Sequence, residues 1–164
     1  MVMMMMTLIY DAPPYNPGDL YDADLSQSVL LEARTADELD THLDDIHKRA
    51  RHWPLAVCVG ISPDDDHEGT PGLSIALGRD LSILEWERDL PGPHGDWDET
   101  EQLSSWNSTT DSHPAFHTNH GPEPAWKTIP CALARQAARQ FYTTGGQRPT
   151  SITWRAHHAA VPPH

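Results

Sequence analysis

Cysteine is scarce in this chain, with two in 164 residues. Cys58 and Cys131 each sit inside an apolar segment and share no motif. That excludes a disulfide framework and any CxxC-type metal or redox centre, and leaves two buried thiols in a reducing compartment. Bases are also few: 11 Lys and Arg stand against 24 Asp and Glu, a formal net charge of −13. Such a field repels phosphate, and nucleic-acid affinity comes largely from basic side chains releasing counterions, so direct nucleic-acid binding is not expected. No apolar run approaches the roughly 20 residues a membrane span needs. The opening MVMMMMTLIYDAPP lacks a basic n-region and a small-residue cleavage site, so it does not read as a signal peptide, and its repeated methionines leave the start codon open. The expectation is a cytoplasmic protein with no membrane association.

Catalytic signatures are missing too. There is no GxSxG elbow, no HExxH, and no GxxxxGK[ST] or GxGxxG loop. Eleven histidines invite a metal hypothesis, and His113, His117 and His120 lie close together in sequence. In a strand, however, positions 117 and 120 point to opposite faces, and no carboxylate at ligand spacing joins them. Asp96 and Asp98 could imitate a glycosidase dyad, yet nothing fixes their separation. No catalytic residue, cofactor or metal is assigned. A small metal-dependent enzyme built on His113, His117 and His120 is kept as the alternative, beside an acidic regulatory or scaffold module.

What the chain does have is proline (15) and tryptophan (6), both high for this length, which suggests ordered loops with aromatic anchors. Met4–Tyr10 reads as a strand, followed by a Pro/Asp/Tyr-rich loop through Leu25. Ser28–Ala33 reads as another. Thr35-Ala36-Asp37-Glu38 is a capping box, and the helix it opens buries Leu39, Leu43, Ile46 and Ala50, with acids early and bases late along the macrodipole. LAVCVGI, after Pro54, is short and apolar enough for a buried central strand. Leu73, Ile75 and Leu77 alternate, Gly78-Arg79-Asp80 turns the chain, and Leu81–Trp86 returns as a hairpin. From Arg88 to Thr128 periodicity fades into a long loop, broken by a short strand near Ala115–Asn119. The predicted fold is α+β in one domain over residues 1–164. It has an antiparallel, or in part mixed, sheet of about five to six strands with two main helices packed on one face. Residues 1–27 form a variable N-terminal strand and loop, and 156–164 a frayed tail.

The richest stretch is Ile129–Trp154, IPCALARQAARQFYTTGGQRPTSITW. Pro130 suits a helix start. Leu133, Ala137 and Phe141 recur on one face with Ala134 and Ala138 beside them. Gly145-Gly146 supplies a positive-φ stop, Arg148-Pro149 forces an extended exit, and Thr150–Trp154 alternates like a strand. The helix, the TTGGQRP turn and the SITW strand together resemble the C-terminal signature of the Imm1 family, immunity proteins encoded beside bacterial polymorphic toxins. Gln147 stands where that family often has a second Arg. Weaker likeness reaches back to about Leu55 through LSIALG-RD-LSILEW and HTNHGPEP, while the first fifty or so residues match only in pattern. The resemblance implies tight binding of a cognate toxin in bacterial competition, and a toxin that acts on nucleic acid, a zinc-dependent cytidine deaminase foremost. Such an enzyme offers a basic groove and a pocket for an extruded base, which an acidic protein could cover in a 1:1 complex.

Two segments stand out as binding surfaces. Asp96, Trp97, Asp98, Glu99, Glu101 and Trp106 interleave acids with tryptophans, the mixture that gives an interface both orientation and anchoring. Asp64, Asp65, Asp66 and Glu68 form a second acidic patch. In either segment the alternative stays open: the tryptophans could fold inward to pin a loop, and the acids could be ordinary solvated turn residues. Trp86, Ile152 and Trp154 read as core, and Trp126 as a staple for the second helix.

Overall fold

Local signals carry most of the chain into place. A computed structural model describes residues 5–13, 27–63, 71–90 and 99–156. The elements run β1 (Met6–Ala12), β2 (Gln27–Ala33), α1 (Ala36–Ala50), β3 (Val57–Pro63), β4 (Gly72–Leu77), β5 (Leu81–Ser82), β6 (Leu84–Leu90), β7 (Glu99–Ser105), β8 (Pro114–Thr118), β9 (Gly121–Pro124), a 3-10 turn (Ala125–Lys127), β10 (Ile129–Pro130), α2 (Cys131–Thr143) and β11 (Trp154–Ala156). Of the expected N-terminal loop, Asp11 and Ala12 belong to β1 instead, and residues 14–25 lie outside the described residues, as do the tail after Ala156 and most of the two acidic segments.

Seven strands join in the order β11-β7-β6-β4-β3-β1-β2, every pairing antiparallel. The fold is α+β as expected, and the sheet is wider than the five or six strands predicted. The difference lies in the supposed long loop, which holds β7, while β8, near the strand expected at Ala115–Asn119, pairs with β9 in a separate two-stranded sheet. β7 is ETEQLSS, in which Leu103, opposite Trp86, is the sole apolar residue. Backbone pairing places it in the sheet, so it carries no hydrophobic period to read.

Alternate strand residues face the helices. Met6 and Leu8 of β1, Val57 and Val59 of β3, and Ile75 and Leu77 of β4 are fully buried with Leu39, Leu43 and Ile46 of α1 and Phe141 of α2. Truncating a side chain such as Phe141 would cost about 3–5 kcal/mol. The capping box forms: Glu38 N–H donates to the Thr35 hydroxyl at 3.0 Å, and the Glu38 carboxylate takes the Arg34 N–H at 2.7 Å. The buried stripe of α2 is Ala134, Ala137, Ala138 and Phe141, whereas Leu133 is only half-buried. Alanines let α2 approach closely, and its arginines lace it to α1. Arg139 bonds Asp37 and Asp40, and Arg135 donates to the Asp40 carbonyl at 3.1 Å. Exposed pairs of this kind contribute about 0–1 kcal/mol each, so the seam rests on its apolar contacts.

The turn after β4 knots three elements together. Gly78 adopts φ +109° against Ala50, and its N–H donates to Nδ1 of His47 at 2.9 Å. Arg79 donates to the carbonyls of Ala50 and Trp53, both at 2.9 Å, closing the C-terminus of α1. The Asp80 carbonyl takes the Cys131 N–H at 2.8 Å, at the start of α2. This turn also splits the expected hairpin, since Leu81–Ser82 pairs with Ile129–Pro130 and the return strand begins at Leu84.

The double-glycine stop behaves as read. Gly145 takes φ +72°, with Gly146 N–H to Phe141 O at 2.8 Å and Gly145 N–H to Tyr142 O at 3.1 Å, a Schellman closure. The expected strand Thr150–Trp154 is a correction. The N–H groups of Thr150 and Ser151 donate to the Gln140 side chain at 3.1 and 3.2 Å. Ladder pairing starts only at Trp154, opposite Ser105.

Candidate functional site

Both helices cover one face of the sheet, and the other face is left to the remaining residues of each strand. On β3 these are Cys58, Gly60 and Ser62, and on β4 they are Gly72, Ser74 and Ala76, paired as Cys58 with Ala76 and Gly60 with Ser74. Small side chains on adjacent strands keep this floor low. The apolar run LAVCVGI forms the buried central strand expected: Val57, Val59 and Ile61 are buried against the helices, Ala56 is buried on the opposite face, and Gly60 there is half-buried. Over the floor lies an open trough of about 530 Å³, lined among others by Ile9, Asp11, Gly60, Ser74, Glu87 and His120.

Its two walls differ. On the β1 side Ile9 is 51% exposed, and Leu30, directly opposite it in register on β2, is 63% exposed. On the β6 side stand Glu85 and Glu87. The Glu85 carboxylate is 3.7 Å from Nζ of Lys127, a largely buried cation that also meets Glu123 at 3.1 Å and lies 5.5 Å from the Trp126 ring. Glu87 accepts a hydrogen bond from the neutral Gln102 amide at 3.2 Å.

The β8–β9 hairpin closes one end. Pairing of β1 with β3 stops at Ile9 and Gly60, and beyond that point the hairpin takes over: Asn119 N–H donates to Ala56 O at 2.9 Å, while Cys58 N–H donates to Asn119 Oδ1 at 2.9 Å. Beneath it Ala56, Ala76, Ile83 and Phe116 form a second small core.

Neither thiol is set up as a nucleophile. Burial pushes Cys58 up to about 12, far above neutral pH. Cys131 Sγ lies 3.9 Å from Nδ1 of His47, a proximity the sequence reading did not anticipate, since the partners are far apart in the chain. Burial raises the thiol. Burial, and then Arg51 and Arg135, lower the imidazole. Both shifts favour the neutral pair over the thiolate and imidazolium that attack requires.

The three histidines are not brought together. Phe116 and Thr118 point inward and His117 outward, His120 stands past the turn beside the trough, and His113 pairs with Asp111 at 2.7 Å. Among the described residues no group of three His, Cys, Asp or Glu side chains is placed to hold a metal ion.

Of the acidic and aromatic candidates, Asp64, Asp65, Asp66, Glu68, Asp96, Trp97 and Asp98 lie outside the described residues. Glu99 opens β7 opposite Leu90. Glu101 is held by Arg88 at 2.9 Å, on the face of Trp86 and away from the trough. Trp106 is half-buried, with its indole N–H donated to Thr109 O at 3.2 Å and Arg155 5.9 Å from its ring. That same guanidinium lies 4.8 Å from Trp126. The trough itself was missed, and its signal is LIY in β1, apolar on both faces of one strand.

The family model for immunity protein Imm1 matches residues 28–156. The chain belongs to the Imm1 family. No curated protein matches it. The matched span holds both helices and, apart from β1 and the first residue of β2, every strand. Membership in Imm1 brings an immunity function, which implies binding a cognate toxin and points to a non-enzymatic role. Among the described residues no helix is long and apolar enough to cross a membrane.

Proposed function

We propose that this Imm1 protein holds its cognate toxin in a one-to-one complex and covers the toxin's catalytic groove, and that the toxin is a nucleic-acid deaminase acting on cytidine. The observation that carries this reading is the charge: 24 acidic against 11 basic residues, −13 in all. An enzyme that works on nucleic acid binds phosphates through Lys and Arg, and a deaminase must also take an extruded base into a pocket. An acidic protein seated over that groove occupies the place of the phosphates and excludes substrate without touching the zinc. Opposite charge speeds encounter, and apolar contacts at the centre slow release.

The residues assigned to this contact are Asp64, Asp65, Asp66 and Glu68 together with Asp96, Trp97, Asp98, Glu99, Glu101 and Trp106. In support, the strands that bracket them run in register: Ile61 pairs with Leu73, Gly72 with Glu87, and Leu90 with Glu99. Both segments therefore leave from one end of the sheet.

The experiment mixes the purified protein with the toxin domain encoded by the adjacent gene. Inhibition is complete at one equivalent, and the association rate falls as salt rises. A rate indifferent to salt removes the electrostatic part, and a toxin inactive on nucleic acid removes the deaminase part. Changing Asp96, Asp98 and Glu99 to Lys weakens binding with the unfolding midpoint unchanged, and full protection by that variant moves the contact elsewhere.

A further inference from the structure

We propose that the trough on the uncovered sheet face seats an arginine of the cognate toxin, carried on a segment with apolar flanks. This rests on the reading of the chain as a toxin-binding protein and adds a contact surface to it that is separate from the acidic loops.

Four observations point to that occupant. The trough, at about 530 Å³, falls within the roughly 300–1,000 Å³ of sites that enclose whole small ligands, so it holds more than one side chain. Its floor is built of glycine and serine at Gly60, Gly72 and Ser74, side chains small enough to leave room for a visitor above the sheet. Asp11, Glu85 and Glu87 are among its lining residues, and no lysine or arginine is among them. Lys127, outside the lining, meets both Glu85 and Glu123, and the bond from Gln102 to Glu87 is neutral. The trough therefore carries net negative charge. The opposite wall is apolar: Ile9 and Leu30 form an exposed pair on the same face, the kind of patch that marks an interaction surface.

A cation with a greasy stem answers both walls at once. Arginine lays its methylenes along apolar surface and keeps its head charged. Its planar fork also meets a carboxylate with two parallel hydrogen bonds, a geometry that lysine lacks. Leu30 lies outside the trough proper, which asks for apolar residues next to that arginine. A free cationic metabolite would leave Leu30 bare.

The test uses the full chain and the purified toxin domain encoded by the adjacent gene, with affinity measured calorimetrically. Glu87→Gln keeps the shape and the Gln102 contact, and weakens binding about tenfold or more. Ser74→Phe fills the trough and weakens it further. Methyl resonances of Ile9 and Leu30 shift when the toxin domain is added to unmodified protein. Replacing toxin arginines singly by Met identifies one whose effect is not additive with Glu87→Gln. Wild-type protein that binds toxin while Glu87→Gln and Ser74→Phe bind within about twofold of it overturns the trough and leaves the toxin-binding reading standing. Methyl signals that stay still on binding do the same. Wild-type protein that fails to bind the toxin overturns both. If the two variants alter self-association and leave toxin affinity alone, the trough seats a second copy of this chain and the proposal fails.

Discussion

The indole N–H of Trp86 on β6 donates to the carbonyl oxygen of Gly146, 3.2 Å away and 60 positions later in the chain. Gly146 is thereby held between the sheet and the end of α2. Its φ is +102°, and a Cβ there would lie 2.9 Å from Pro71 Cγ and 3.3 Å from Pro63 Cγ. The glycine pair of the TTGGQRP turn is thus scaffold, joining the C-terminus of α2 to β6 and to the ends of β3 and β4.

Gly146→Ala meets both the strained φ and the prolines, so it should lower stability by about 1–3 kcal/mol. Trp86→Phe deletes the hydrogen bond and part of a well-filled ring site, for a loss of about 1–3 kcal/mol. Urea denaturation midpoints check both. A Gly146→Ala midpoint equal to wild type would show that the turn is not confined by Pro63 and Pro71.

A harsher outcome is expected at Gly78. A Cβ there would fall 2.7 Å from the Ala50 Cβ and 2.9 Å from that residue's backbone carbon and oxygen, at φ +109°. Backbone cannot rotate aside as a side-chain tip can. Gly78→Ala should cost about 3 kcal/mol or more, by strain plus overpacking, and should loosen the end of α1. Hydrogen exchange at Arg51 and Trp53, whose amides donate to His47 and Ala50, should accelerate out of proportion to the global loss. Uniform acceleration would mean that the turn does not hold that end separately.

How much of this was legible depended on whether the interacting groups were near in sequence. The Thr35–Glu38 capping box and the Leu39, Leu43, Ile46, Ala50 stripe are local, and both stand as read. The Gly145-Gly146 stop is likewise written in the residues that perform it. Thr150–Trp154 misled because its alternation is strand-like while its amides are claimed by Gln140, ten positions back. β7 was invisible because it is ordered by partners on β6 and β11. The trough was hidden for the same reason: Ile9 and Leu30 become an exposed pair only when β1 is laid against β2, and Gly60 becomes a floor only when β4 lies beside β3. Glu101 was read as an available acid, but Arg88 reaches it from 13 residues away.

Acid should weaken the fold through His47. Its Nδ1 accepts the Gly78 N–H, and burial, then Arg51 and Arg135, hold its pKa below the ordinary 6.5. With the folded pKa lower than the unfolded one, the unfolded chain binds the extra proton first, so this contribution is complete above pH 6.5 and is lost as pH falls through that value toward the folded pKa. His47→Asn keeps an acceptor near the position of Nδ1 and does not titrate. Urea midpoints between pH 7.5 and 5.5 should decline in wild type and decline less in the variant. Parallel slopes would assign the acid sensitivity to other groups.

Asn119 should prove the joint by which the β8–β9 hairpin stays on the sheet. It is 5% exposed, its N–H is bound to Ala56 O at 2.9 Å, and its Oδ1 takes the Cys58 N–H at 2.9 Å. Asn119→Ala leaves that N–H without its partner at a part-buried position, a loss of about 1–3 kcal/mol. Asn119→Asp retains an acceptor oxygen in the same place, but introduces a charge at a buried position. Alanine should therefore expose the Cys58 amide to exchange, whereas aspartate should protect it while lowering overall stability as its charge is desolvated. Equal protection of Cys58 in wild type and Asn119→Ala would show that the hairpin is held by the Phe116, Ile83 and Ala76 contacts alone.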